Sequence, residues 1–118
     1  MILRNLAHPE VKATRYVAHG GGIAHMVLTH PTLKTMMFLA HASVPPGNKL
    51  LGHVDPMEEI YIIQKGRGLM QVGEELNEVK AGDAIHIPIG HYHELTNTGE
   101  EELNLLVVAG LIPRPGGF

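Results

Sequence analysis

The 118-residue sequence predicts a single all-β domain. Its apolar runs are short, and they alternate with polar residues more often than they follow the period of a helix. Glycines and prolines, 14 and 8 of them, interrupt these runs at short intervals, as turns between strands do. No repeat of fixed period and no low-complexity linker divides the chain. We therefore expect one domain of many short strands around one core.

The composition excludes several classes of function. Nine Lys and Arg against twelve Asp and Glu, with no basic run, make nucleic acid an unfavourable partner. No apolar run reaches the length of a membrane span and the N-terminus has no signal-peptide core, so we expect a cytoplasmic protein that does not contact membranes. Cysteine is absent, which excludes thiolate ligands, whereas nine histidines favour a metal site.

The N-terminal part is predicted to contain a hairpin. Residues 1–15 are compatible with an irregular arm or a peripheral strand. Segments 16–19 and 23–29 are expected to form two strands, and Gly20, Gly21 and Gly22 between them indicate a turn or a close backbone approach. This hairpin would lie at a sheet edge or contact a partner subunit.

The region from residue 35 onward is predicted to hold the main strands. Alternation and turn residues place them at 35–44, 50–55, 58–64, 69–72, 75–80, 84–87, 91–97 and 103–111. The last strand is apolar on both faces, which indicates a central position in a sheet. The segment 113–118 contains two Pro and two Gly and is predicted to be irregular.

Polar side chains cluster in two of these regions. Alternation places His53 and Asp55, together with Leu51, on one face of one segment, and Glu59 on a face of the next. About thirty residues later His91 and His93 share a face. Carboxylates and imidazoles that point into an apolar interior are costly unless a cation or hydrogen bonds compensate them. The pattern therefore predicts a metal site between the two regions.

The spacing of these residues resembles the paired motifs of the cupin superfamily, and the chain is similar to its small single-domain members. The family motifs read G-x5-H-x-H-x3,4-E-x6-G and G-x5-P-x-G-x2-H-x3-N. The matching positions are Gly47, His53, Asp55, Glu59 and Gly66, followed by Gly82, Pro88, Gly90, His93 and Asn97. Only Asp55 departs from the pattern, because the family has a second histidine there.

The resemblance implies a double-stranded β-helix, a jelly-roll β-barrel that binds a metal inside. It implies a barrel at 35–112, an N-terminal arm with peripheral strands at 1–34 and a tail at 113–118. His53, Glu59 and His93 are the implied ligands. Asp55 either ligates as well and favours harder metals, or it orients His53 or a water and leaves an open triad of two histidines and one carboxylate. Fe(II) is the favoured ion, with Mn, Co, Ni or Zn as alternatives.

Three functions are compatible with the resemblance. The first is a metal-dependent enzyme, similar to non-haem iron dioxygenases, that acts on a small organic substrate inside the barrel. The second is an oxygen-independent isomerase, lyase or hydrolase in which Asp55 or Tyr61 serves as base or acid. The third is a non-catalytic protein that binds or senses a small ligand. Tyr61 is the best candidate to contact a substrate, and a homodimer through the N-terminal strands is implied because the family commonly dimerises there.

Overall fold

Two antiparallel β-sheets enclose one core in the computed structural model, which describes residues 1–110. The elements are α1 (Pro9–Lys12), β1 (Tyr16–Ala18), β2 (Gly22–Leu28), β3 (Phe38–Val44), β4 (Lys49–His53), β5 (Glu59–Lys65), β6 (Arg67–Val72), β7 (Glu75–Lys80), β8 (Ala84–Ile87), β9 (His93–Asn97) and β10 (Leu103–Ala109). The larger sheet has the order β1-β2-β3-β10-β5-β8 and the smaller one β4-β9-β6-β7. The predicted all-β, double-stranded β-helix fold is confirmed.

Strand β10 lies in the middle of the larger sheet, as its apolar character on both faces predicted. It pairs with β3 on one side and β5 on the other. Alternate residues point into the core, and Leu103, Leu105 and Ala109 are completely buried. Removing one such leucine side chain from water contributes about 2 kcal/mol to stability.

Most predicted strands are confirmed, with differences at their ends. The strand predicted at 35–44 begins only at Phe38. The preceding residue, Met37, donates its backbone N–H to the Ala109 carbonyl. The strand predicted at 91–97 begins at His93. Helix α1 was not predicted, since four residues are too few to reveal a helical period. The tail at 113–118 lies outside the described residues. Within residues 1–110, no helix has the length and apolar character needed to cross a membrane.

The N-terminal hairpin lies at the edge of the larger sheet and is attached to the smaller one. Leu51 in β4 donates its backbone N–H to the His19 carbonyl at 2.9 Å. Gly21 lies so close to β4 that a Cβ there would collide with the Lys49 carbonyl oxygen. Both predicted roles of the glycines, a turn and a close backbone approach, are therefore present, and the hairpin connects the two sheets.

Asn97, the last fixed position of the second motif, has a structural role. Its side chain is buried, and its Nδ2 donates to the carbonyls of Val44 and Glu101, each at 2.8 Å. Its Oδ1 accepts the backbone N–H of Gly99 at 2.9 Å. These bonds satisfy the buried amide and tie the end of β9 to β3 and to the turn that follows.

Candidate metal centre

The four residues singled out by the motifs lie together inside the barrel. His53 ends β4 and His93 begins β9, and the two are direct partners across the smaller sheet. Glu59 is the first residue of β5 in the larger sheet, and Asp55 lies in the loop between β4 and β5. One ligand atom from each residue lies within 4.8 Å of those of the other three. The structure thus forms a group that could hold a metal ion.

His53 reaches this group because β4 contains a β-bulge. Leu50 is buried and Leu51 is 49% exposed, so strict alternation would turn His53 outward with Leu51. However, Leu50 lies opposite Leu95 and His53 opposite His93, so three steps along β4 match two along β9. The extra residue reverses the alternation and points His53 inward. The prediction that Leu51 shares a face with His53 was therefore wrong.

A polar network around Glu94 holds the bulge in place. Glu94 Oε2 accepts the backbone N–H of Gly52 at 3.1 Å and the hydroxyl of Tyr92 at 3.3 Å. Lys49 Nζ lies 3.5 Å from the other oxygen of Glu94. The Tyr92 ring occupies the space that a Cβ on residue 52 would need, which explains a glycine at the bulge.

Backbone carbonyls fix the tautomers of the two histidines. His53 Nδ1 lies 2.8 Å from the Leu51 carbonyl oxygen, and His93 Nδ1 lies 3.0 Å from that of His91. A carbonyl oxygen only accepts hydrogen bonds, so each Nδ1 carries a proton and donates it. In a neutral imidazole the Nε2 atom is then an unprotonated acceptor, which is the form that binds metals.

Three of the buried polar atoms in the group have no hydrogen-bond partner among the residues that the structure describes: Nε2 of His53, Nε2 of His93 and Oε1 of Glu59. Asp55 Oδ2 lies 3.0 Å from the His53 Nε2 and 3.4 Å from the His93 Nε2, and Glu59 Oε1 lies 3.5 Å from the latter. Acceptors that face one another in a buried site are unfavourable without a cation. Two ligand atoms that each lie about 2.1 Å from the same ion, at an angle of 90° to each other, are about 3.0 Å apart. The observed distances are close to this value, so the residues fit a divalent metal.

The two carboxyl groups share one proton when no metal is bound. Burial raises the pKa of Glu59 to about 9, and the hydrogen bond and charge of Asp55 add to this rise. Burial also pushes the pKa of Asp55 upward, but the hydrogen bond from Glu59 and the nearby histidines hold it below its usual value. Burial lowers the pKa of His93. In the metal-free group at neutral pH, Glu59 therefore carries the shared proton and Asp55 is ionised.

Sequence reasoning did not identify His19 as part of this region. His19 follows β1 in the hairpin turn, where it has a φ of 46°, a left-handed conformation that is uncommon for residues other than glycine. Its ring stacks on that of His53, with centroids 3.4 Å apart and planes 9° from parallel. His19 thus covers one face of the His53 imidazole and limits the orientations that this ring can adopt.

Replacing His19 with alanine should lower the affinity for a divalent metal about tenfold, because the His53 ring loses the stacking contact that restricts its orientation. His19→Phe keeps a flat ring and should retain most of the affinity. Competition with a chelator of known affinity measures both variants. Equal losses in the two variants would contradict a stacking role and point to the His19 nitrogen atoms instead.

Tyr61, the predicted substrate-contacting residue, lies beside the group. It is buried, and its ring meets the His93 ring edge-on with centroids 5.8 Å apart. Burial raises the pKa of Tyr61, with a further contribution from Glu59, so the hydroxyl stays protonated. Tyr61, Glu59, Tyr16 and His19 line a cavity of about 50 Å³ inside the barrel. A catalytic role of Tyr61 or Asp55 stays a prediction.

Other polar residues of the motif regions lie outside the group. His91 is exposed, and its Nδ1 lies 3.2 Å from the Ile89 carbonyl oxygen. Glu58, next to Glu59, is exposed and pairs with His86 on the adjacent strand β8 at 2.6 Å. Alternation left a choice between His91 and His93, and His93, to which the family spacing points, is the one that lies in the group.

Comparison with known proteins assigns the chain to a family. The cupin domain profile matches residues 40–109. An uncharacterised protein of Methanocaldococcus jannaschii is 41% identical over 98 residues, 80% of this chain and 78% of that protein. The oxalate-binding protein of Thermotoga maritima is 29% identical over 109 residues, 87% of this chain and 90% of the relative. The crystal structure of a predicted oxalate decarboxylase from T. maritima superposes with a TM-score of 0.82 at 24% identity, over 93% of this chain and 99% of that chain. On its sequence and its fold alike, the chain belongs to the cupin family.

Proposed function

We propose that this cupin binds a divalent transition metal through His53, Asp55, Glu59 and His93 and acts as a metal-dependent enzyme on a small organic acid inside the barrel. The observation that supports it best is the convergence of three buried, unpartnered ligand atoms, two of them histidine nitrogens whose tautomer suits a metal. The acid is suggested by the oxalate-binding relative and by the affinity of metal ions for carboxylates.

Asp55 serves as the fourth ligand in this proposal. Its Oδ2 lies within 3.4 Å of both histidine Nε2 atoms, and its lowered pKa keeps it ionised. Two carboxylates and two imidazoles form a harder ligand set than three imidazoles and one carboxylate, which favours Fe(II) or Mn(II) over copper. Four protein ligands leave two positions of a six-coordinate ion for a substrate.

The chain's own residues provide the rest of the active site. When bound, the ion supplies Lewis-acid polarisation of a substrate oxygen and, in the case of iron, redox chemistry with O₂. The Tyr61 hydroxyl stays protonated and donates a hydrogen bond to the substrate. The apolar walls of the cavity, which include Leu50 and Val107, exclude water from the reacting atoms.

The test begins with elemental analysis of protein purified without added metal. The protein is then reconstituted anaerobically with Fe(II) or Mn(II) and incubated with enolisable 2-oxo acids and phenols, with and without O₂. We expect turnover that requires the metal and is lost in Glu59→Ala, whereas Glu58→Ala, a change of the exposed neighbour, retains it. Turnover that ignores O₂ and survives with Zn(II) would favour the isomerase or lyase alternative. A protein that binds no metal would overturn the proposal.

We also propose a homodimer formed through the N-terminal hairpin and the adjoining sheet face. Among residues 1–110, strand β1 pairs only with β2, so its outer edge is unpaired within this part of the chain. Val17 on this edge strand is 63% exposed, and the outer face of the same sheet carries further apolar side chains such as Ile60, which is 41% exposed. A second copy of the chain could cover this surface.

Light scattering at micromolar concentration should give the mass of a dimer, and Val17→Glu should shift it toward the monomer. Leu76→Glu is the matched control, because Leu76 is similarly exposed, at 59%, but lies on β7 of the other sheet. A wild-type monomer would contradict the dimer, as would an equal effect of both variants.

A further inference from the structure

We infer that the cavity beside the metal centre selects small monocarboxylates with a short apolar group over dicarboxylates. This inference rests on the proposed function, because it takes the acid's carboxylate to occupy the open positions of the metal. It adds the class of substrate that the chain's own residues favour. Two observations carry it: the small apolar wall of the cavity, and the absence of Lys and Arg from the described residues that line it.

Four alanines form part of the wall of the cavity that Tyr61 also lines. They come from three neighbouring strands of the larger sheet: Ala18 on β1, Ala24 on β2, and Ala40 and Ala42 on β3. Ala24 and Ala42 are direct partners across β2 and β3. Since an alanine side chain ends at Cβ, this stretch of the sheet leaves space that larger residues would fill.

The size of the space limits the group that it accepts. The cavity has a volume of about 50 Å³. An apolar cavity of about 150 Å³ accommodates benzene, or roughly 25 Å³ for each carbon atom. The cavity therefore suits about two carbon atoms, a methyl or ethyl group, next to the part of the ligand that binds the metal.

The charges around the cavity disfavour a second carboxylate. Of the described residues that line the cavity, none is Lys or Arg, and the polar ones are Tyr16, His19, Glu59 and Tyr61. A second carboxylate would lie near Glu59 without a cation to compensate it.

Asp55 adds to this discrimination. Two carboxylate ligands, Asp55 and Glu59, balance the charge of a divalent ion, whereas one carboxylate among three histidines would leave one positive charge. A monoanion then gives the occupied centre a single negative charge, and a dianion gives it two in a buried site. The position at which this chain departs from the family motif thus favours the same class of ligand as the apolar wall.

The test uses the Mn(II)-loaded wild-type protein and three acids that share the same 2-hydroxycarboxylate chelating group. Lactate ends in a methyl group, 2-hydroxybutyrate has one more methylene, and malate carries a carboxylate in place of the terminal methyl of 2-hydroxybutyrate. Calorimetry should show 2-hydroxybutyrate binding about fourfold tighter than lactate, the effect of one buried methylene. Malate should bind at least about tenfold more weakly than 2-hydroxybutyrate.

Ala42→Val places two methyl groups in the cavity and should abolish the preference for 2-hydroxybutyrate over lactate. Ala84→Val, the same change at an exposed site on β8, should retain it. The binding of the three acids to the wild-type protein tests the preference for monocarboxylates even if Ala42→Val does not fold. Malate binding as tightly as 2-hydroxybutyrate to the Mn(II) protein would overturn this inference alone. A failure to bind Mn(II) at all would overturn the proposed function instead.

Discussion

Replacing His93 with alanine should lower the affinity of the protein for Mn(II) or Fe(II) by about a hundredfold or more. His93 is almost completely buried, and its Nε2 faces both Asp55 Oδ2 at 3.4 Å and Glu59 Oε1 at 3.5 Å. Its loss removes one of two imidazole ligands and leaves His53 and two carboxylates as the remaining ligands. A hundredfold loss corresponds to about 2.7 kcal/mol, which is modest for a metal–ligand bond. Chelator competition at fixed pH measures the change.

His91→Ala is the control for this prediction. His91 lies two residues earlier and is exposed, and it contributes to the site only a backbone carbonyl, which the substitution retains. This variant should bind the metal with nearly wild-type affinity, and circular dichroism should show that both variants fold. If His93→Ala bound the metal as tightly as the wild type, the four-residue centre would be excluded.

The sequence predicted the strands well because a two-layer β-fold imposes a period of two. Strand β5 illustrates this, since Glu59, Tyr61 and Ile63 are buried while Ile60 between them is exposed. The order of strands within the two sheets is not encoded in that period, and the double-stranded β-helix was expected only through the resemblance to a family. Pairing between distant strands depends on the whole fold rather than on local pattern.

Alternation failed where backbone geometry departs from a regular strand. It placed His53 with Leu51, because a bulge leaves no mark in the period of apolar residues. The family spacing nevertheless pointed to His53, which lies in the four-residue group. The His19–His53 stack depends on a turn of one sheet contacting a strand of the other, and the one signal for that contact in the sequence was the run of glycines after His19.

Metal affinity should rise about tenfold with each pH unit from neutral pH to about pH 9, and at pH 7 the binding of one ion should release about one proton. The cause is Glu59, whose pKa burial raises to about 9, so this carboxyl group must lose its proton before it can ligate. Calorimetry in two buffers of different ionisation enthalpy measures the released protons directly.

The same pKa shift determines how pH affects the stability of the metal-free protein. The pKa of Glu59 in the folded state lies well above the ordinary value of 4.5 that the group has in an unfolded chain. Its contribution to stability is therefore fully present below about pH 4.5 and is lost as the pH rises through about 9. The free energy of unfolding without metal should fall over this interval. Because metal binding replaces the proton, the gain in stability on adding the ion should increase with pH.

Glu59→Gln separates the proton from the rest of the site. Glutamine has a similar shape and no ionisable proton, so this variant should bind metal more weakly but without the proton release of the wild type. Its affinity should change little between pH 7 and 9. If the wild type released no proton at pH 7, then either Glu59 would already be ionised beside Asp55 or it would not contact the metal. The first outcome would contradict the shared proton, and the second would remove Glu59 from the ligand set.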